Sequence, residues 1–221
     1  MDLTDSQIER YSRQILLQEL GGEGQERILA ARVLVAGEGL ALPIAARYLA
    51  AAGAGEIGLA SGAGGDVLAA DIHALNPEIR VTLHSAESPS QELVSGYDLL
   101  VAVSLGSSLR DHLNRGAVAT GCPVITGACD GDHGFVAVLD PARGGGCLAC
   151  VEWPSLGTAV KPLTPALAGA VGTLLATEAL KAITGIGDPL TRRMLRIDAR
   201  SSAYTTAVVQ HRPSCLICRV T

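Results

Sequence analysis

The stretch R-V-L-V-A-G-E-G-L-A-L-P-I-A-A-R-Y-L-A-A-A, residues 32–52, decides the fold. Residues 33–36 are an unbroken apolar run with two β-branched valines. Such a run reads as a strand buried on both faces, because a half-exposed strand would alternate. Gly37, Glu38 and Gly39 follow and give the chain the freedom of a tight turn. Residues 40–52 are rich in alanine and predict a helix, with Pro43 acceptable in its first turn. A buried strand, a glycine turn and a helix form the opening unit of a parallel α/β sheet.

The same alternation continues downstream. Strands are predicted over residues 56–59, 80–84, 98–103, 123–128 and 135–139, with later strands over 195–198 and 204–210. Helices are predicted over 66–75, closed by Asn76-Pro77, over 107–120, and over a long apolar stretch, 165–184. Upstream, residues 5–18 read as an amphipathic helix with Ile8, Tyr11, Ile15 and Leu16 on one side and Thr4 or Asp5 as its cap. Gly21, Gly22 and Gly24 predict a break there, followed by a short helix over 25–31. The expected class is α/β, a Rossmann-like doubly wound, mainly parallel sheet with N-terminal helices. One domain is expected over 1–221: an N-terminal helical arm (1–31), a nucleotide-binding type of core (32–140) and a C-terminal part (141–221). Ligands of such sheets sit beyond the carboxyl ends of the strands, here residues 37–42, 59–62 and 103–108.

Composition narrows the function. Hydrophobic residues make up 48 %, charged residues 18 % and aromatics 3 %, so the core is built from Ala, Val, Leu and Ile. A net charge of −5 argues against nonspecific nucleic-acid binding and against an anionic membrane surface. The apolar stretch 163–175 is short and interrupted by glycine and proline, so no membrane span is expected. The opening M-D-L-T-D-S-Q-I-E-R-Y-S-R-Q is polar and carries no secretion signal, which predicts a cytoplasmic protein. Its six cysteines then read as metal ligands or core thiols rather than disulfides.

Cys147-Leu-Ala-Cys150 and Cys215-Leu-Ile-Cys218 form the sharpest motif. Two thiolates two residues apart grip one tetrahedral metal, and two such turns complete a closed shell of four cysteines. That predicts a structural zinc; a redox C-x-x-C or two unrelated pairs are the alternatives. Cys122 and Cys129 flank a predicted core strand and are expected to be inert buried thiols. Gly37 and Gly39 can bring backbone close to a phosphate at a helix start, or simply make a tight turn. Sheets of this kind place an acid at the end of the second strand for a ribose; Ser61 stands there, and the nearest acid is Asp66. Arg10 and Arg13, three apart, share one helix face, which by itself is an ordinary solvated surface.

R-Y-S-R-Q-I-L-L (10–17), G-G-E-G-Q-E-R (21–27), A-R-V-L-V-A-G-E-G (31–39), Y-L-A-A-A-G-A-G (48–55), L-N-P-E-I (75–79), G-C-P-V-I-T-G-A (121–128), A-T-E-A-L-K-A-I-T-G-I-G (176–187) and the two cysteine pairs together resemble the ThiF/MoeB/HesA family, bacterial relatives of the ubiquitin-activating enzymes. The resemblance covers nearly the whole chain. It implies ATP- and magnesium-dependent adenylation of the C-terminal glycine of a ubiquitin-like sulfur-carrier protein. It also implies a dimer in which the arginine of R-Q, Arg13 here, reaches the partner subunit's ATP.

The chain departs from the family pattern where the chemistry sits. Leu40 and Leu42 replace two further glycines of the turn. Ser61 takes the place of the ribose-binding acid, and the segment that carries an Asn, an Arg and a Lys toward the phosphates is missing. Leu105 takes the place of the metal-binding Asp. The cysteine of the crossover loop falls near Thr158. No catalytic residue is therefore assigned, and the expectation is a degenerate member that dimerises, with itself or with an active relative, and binds a sulfur-carrier protein. Two alternatives stay open: a working adenylyltransferase rebuilt around Asp66 or Asp71, or a binder of another ligand in a pocket lined by Leu40, Leu42 and Leu105.

Overall fold

The computed structural model describes residues 3–86, 91–151 and 161–218. In chain order the elements are α1 (Asp5–Ile15), α2 (Gly21–Ala30), β1 (Arg32–Gly37), α3 (Ala41–Ala52), β2 (Glu56–Ser61), α4 (Gly65–Leu75), β3 (Arg80–Leu83), β4 (Leu99–Val103), α5 (Ser107–Thr120), β5 (Val124–Asp130), β6 (His133–Leu139), α6 (Thr164–Thr184), β7 (Arg193–Asp198) and β8 (Ala203–Val208). Short 3-10 turns lie at Gln91–Gly96 and Pro141–Arg143.

The eight strands form one sheet in the order β3-β2-β1-β4-β5-β6-β7-β8. The first five are mutually parallel, and β5 through β8 continue antiparallel. This is the Rossmann-like arrangement expected from the sequence. Strand order reverses between β1 and β4, so a crevice opens at their carboxyl ends. The register puts Ser61, Gly37, Val103 and Gly127 side by side across that edge.

Two apolar layers cover the sheet. On one face α3, α4 and α6 bury Leu49, Ile72, Leu167, Val171 and Leu175 against Val33, Val35 and Ile57. On the other, α5 buries Leu109, Leu113 and Ala117 against Leu34, Leu100 and Phe135. Gly172 lets α6 cross α3 closely, since a Cβ there would stand 2.7 Å from the Ala41 carbonyl oxygen.

Three expectations need correction. Only Gly21, the first residue of α2 with φ 59°, marks the expected break; Gly22 and Gly24 lie inside α2. Gly24 packs on Leu20, where a Cβ would stand 2.6 Å from Leu20 Cδ1, so small size rather than flexibility explains that glycine. Helix α1 ends at Ile15, and its start is capped by a reciprocal pair in which Gln7 N–H donates to Thr4 Oγ1 and Thr4 N–H donates to Gln7 Oε1. Of the face read as apolar only Tyr11 is fully buried; Ile8 is 46 % and Leu16 83 % exposed. Finally, α6 runs unbroken through Gly169 and Gly172, and by length and composition it is long and apolar enough to cross a membrane. Its residues Leu167, Ala168, Val171 and Leu175 are instead part of the core.

Candidate functional site

Gly37 ends β1 with φ 125°, and a Cβ there would stand 1.8 Å from the Val103 carbonyl oxygen. Only glycine permits β1 and β4 to approach this closely. Glu38 N–H donates to that carbonyl, at 3.0 Å, and Gly39 carries φ 87° into the start of α3. Beside this turn lies a cleft of ≈ 440 Å³ lined by Gly37, Glu38, Gly39, Pro43, Ser61 and Gly62–Gly64, with Leu42 and Leu68 at its apolar end. Among the described residues that line it there is no Lys, Arg or His, and Glu38 is the one charged residue.

A phosphate at a helix start is held by free backbone N–H groups and a positive dipole end. Here Pro43 is the third residue of α3 and has no N–H to offer. Helix α3 also has no capping side chain at Leu40. Reading Pro43 as acceptable in a first turn misses this consequence: it removes a donor where an anion would need one. Leu105, beyond β4, leans on the turn, with its Cδ2 3.2 Å from where a Cβ on Gly37 would stand. It also packs on the α5 side of the core. Ser104 before it takes φ 45°, inserting the bend that turns Leu105 inward.

The pocket expected from Leu40, Leu42 and Leu105 forms only in part. Leu42 lines the cleft, whereas Leu40 is 51 % exposed and neither it nor Leu105 is a lining residue. Asp71 is ion-paired with Arg47, and neither it nor Asp66 lines the cleft. Thr158 lies outside the described residues. Arg13 is exposed in the last turn of α1, with no ion-pair partner among the described residues. Its neighbour Gln14 donates to the Ala52 carbonyl, at the end of α3 far from the glycine turn.

The second site is the cysteine cluster. The Sγ atoms of Cys147, Cys150, Cys215 and Cys218 all lie within 4.8 Å of one another, and all four residues are buried. Cys147–Cys150 measures 4.0 Å, Cys147–Cys215 3.8 Å and Cys150–Cys218 3.4 Å. Sulfurs about 2.3 Å from a tetrahedral zinc stand about 3.8 Å apart, so the four thiols fit that ion. Polar hydrogens converge on them. Arg212 N–H donates to Cys150 Sγ at 3.5 Å. Asn114 Nδ2 donates to Cys147 Sγ at 3.4 Å, while its Oδ1 accepts from Leu148 N–H at 2.9 Å. Burial raises the Cys215 thiol, but backbone N–H groups of Cys218 and Ile217 outweigh it and bring it down to about 6, whereas burial raises the Cys147 and Cys218 thiols. Cys122 is buried as expected, whereas Cys129 is only half-buried; burial pushes Cys122 up to about 12 and Cys129 up to about 11.

Comparison with known proteins places this geometry. The ThiF family model matches residues 65–217. The chain belongs to the ThiF family. A sulfur carrier protein adenylyltransferase from Thermus thermophilus is 33 % identical, over 99 % of this chain and 93 % of the relative. The SAMP-activating enzyme E1 of Haloferax volcanii is 32 % identical, over 99 % of this chain and 91 % of its own length. The alignment with the Thermus protein spans 253 positions against a chain of 221, so it is gapped on this side. Among solved structures, E. coli MccB with MccA-N7isoASN superposes with a TM-score of 0.78 at 17 % identity, covering 98 % of this chain and 76 % of that chain, a likeness of fold. The ThiF family match begins at Gly65, beyond both the glycine turn and Ser61.

Proposed function

We propose that this chain is a ThiF-family member that keeps the scaffold and a structural zinc and has lost the adenylating chemistry. The observation that carries this reading is the crevice between β1 and β4, where Leu105 leans on Gly37 and the described residues lining the adjoining cleft include an acid, Glu38, and no cation. Adenylation is an in-line attack of a carboxylate on the α-phosphorus, with pyrophosphate leaving. The protein contributes charge neutralisation and positioning. Loss of a single charge-stabilising group costs about 10²–10³ in rate. Here the metal-binding acid, the ribose acid and the phosphate cations of the family pattern are absent together, and Pro43 removes a backbone donor besides.

Cys147, Cys150, Cys215 and Cys218 would hold the zinc, which when bound supplies a cross-link between the middle of the chain and residues 215–218. A reducing, cytoplasmic compartment belongs to the same proposal, because only reduced thiolates ligate. The partners follow from the family: a second copy or an active relative, and a ubiquitin-like sulfur-carrier protein. Arg13 serves a partner's nucleotide in this reading. Helix α3, with 12 residues, spans roughly 18 Å, and Gln14 docks at the end opposite the glycine turn, which keeps Arg13 from its own cleft.

Calorimetric titration with magnesium ATP tests the proposal. No saturable heat is expected at millimolar nucleotide; stoichiometric binding with a micromolar Kd would refute it.

A further inference from the structure

Asn114 lies on the inner face of α5, 1 % exposed, and is one of the few buried polar side chains of the fold. It is not among the residues that line the cleft beside the glycine turn. Its two hydrogen bonds both go to the turn that begins at Cys147. Leu148 N–H needs an acceptor, so Oδ1 must face Leu148 and the Nδ2 hydrogens must face Cys147 Sγ. The amide orientation is thus fixed by the backbone of the cysteine turn itself.

Cys147 is 0 % exposed, against 4–7 % for Cys150, Cys215 and Cys218. Four thiolates around one dication leave a net negative cluster, and buried charge is tolerated only where hydrogen-bond donors meet it. Cys150 draws on the Arg212 N–H, and Cys215 on the backbone N–H groups of Ile217 and Cys218. Cys147 receives in addition a side-chain amide from a separate helix, 33 residues earlier in the chain.

We infer that Asn114 is a positioning residue of the metal site: its amide orients Cys147 Sγ and spreads its thiolate charge, and so sets how tightly the cluster holds zinc. This rests on reading the four cysteines as a zinc site. It also couples that site to α5, which begins at Ser107, two residues after Leu105. Groups that hydrogen-bond metal ligands typically govern affinity by about 10–100-fold.

The test measures zinc affinity by chelator competition and records the sulfur-to-metal charge-transfer band after cobalt substitution, for the full chain and for Asn114→Asp and Asn114→Leu. Asn114→Asp keeps the acceptor for Leu148 and removes the donor to Cys147. Both variants should bind zinc about 10–100-fold more weakly, with a shifted cobalt band and unchanged far-UV circular dichroism. Cadmium NMR on the wild-type chain needs no variant, and should show scalar coupling between the metal and the Asn114 side-chain amide protons. Unchanged affinity and an unshifted band in Asn114→Asp, or no such coupling in the wild type, would overturn the role of Asn114 and leave the zinc site standing. A wild-type chain that takes up neither zinc nor cobalt would overturn the zinc reading, and this inference with it.

Discussion

Leu105 and Gly37 face each other across the carboxyl ends of β4 and β1, with Leu105 Cδ2 3.2 Å from the position a Cβ on Gly37 would take. Gly37 lets β1 and β4 meet closely, and Leu105 closes on it from the β4 side. In the reading proposed above, fold and chemistry have separated at this pair. The packing constraint on Gly37 can be measured.

Gly37→Ala should be strongly destabilising. Its Cβ would fall 1.8 Å from the Val103 carbonyl oxygen, and its φ of 125° is unfavourable for any L side chain. A loss above about 2 kcal/mol is expected, lowering Tm by roughly 4–8 °C. Gly39→Ala, whose Cβ meets nothing nearer than Ser104 Oγ at 3.7 Å, should cost only the backbone strain, about 1 kcal/mol. Thermal denaturation of the two variants checks this, and equal losses would show that the close β1–β4 contact is not what Gly37 provides.

Removal of the metal should loosen the molecule. The cluster joins residues 68 positions apart. Treated as a cross-link on a loop of that length, it contributes about 4 kcal/mol, on the order of 10 °C in Tm. Elemental analysis should give about one zinc per reduced chain, because a shell of four cysteines holds a single ion. A strong chelator, or Cys147→Ser, should lower Tm accordingly. A melting point indifferent to both would contradict a structural metal.

The buried thiol of Cys122 gives a pH dependence of known sign. Burial raises it from 9.0 to about 12, so the unfolded chain ionises first. Its contribution to stability is fully present below pH 9 and is lost as pH rises from there toward about 12. The slope is at most about 1.4 kcal/mol per pH unit. Urea unfolding at pH 8 and pH 10 should show the wild type losing stability relative to Cys122→Ala, and a constant difference between the two would exclude the effect.

Much of this is legible in the sequence. Residues 33–36 announce a doubly buried strand, and the helix–strand alternation gives the parallel half of the sheet. Cys-x-x-Cys pairs are local signatures, so all four sulfurs can be named without knowing their clustering within 4.8 Å. The errors come where packing overrides local preference. Gly24 reads as a breaker, yet it sits inside α2, packed against the Leu20 side chain. Leu16 reads as buried, yet α1 ends before it and leaves it exposed. Asn114 gives no signal at all. Its periodicity says only that it faces inward, and nothing local records a sulfur 33 residues later. Glu38 is legible as part of a turn but not as the one charged residue among the described residues lining the cleft.

Whether the cleft beside Leu105 can still activate a carboxylate is the central question. ATP–pyrophosphate exchange by the purified, zinc-loaded chain, with sulfur-carrier proteins ending in Gly-Gly supplied in turn, measures this directly. A degenerate site predicts exchange no faster than the no-enzyme background. Exchange that rises in proportion to protein concentration with any one carrier, and persists once a contaminating ThiF-family enzyme is excluded, would contradict it.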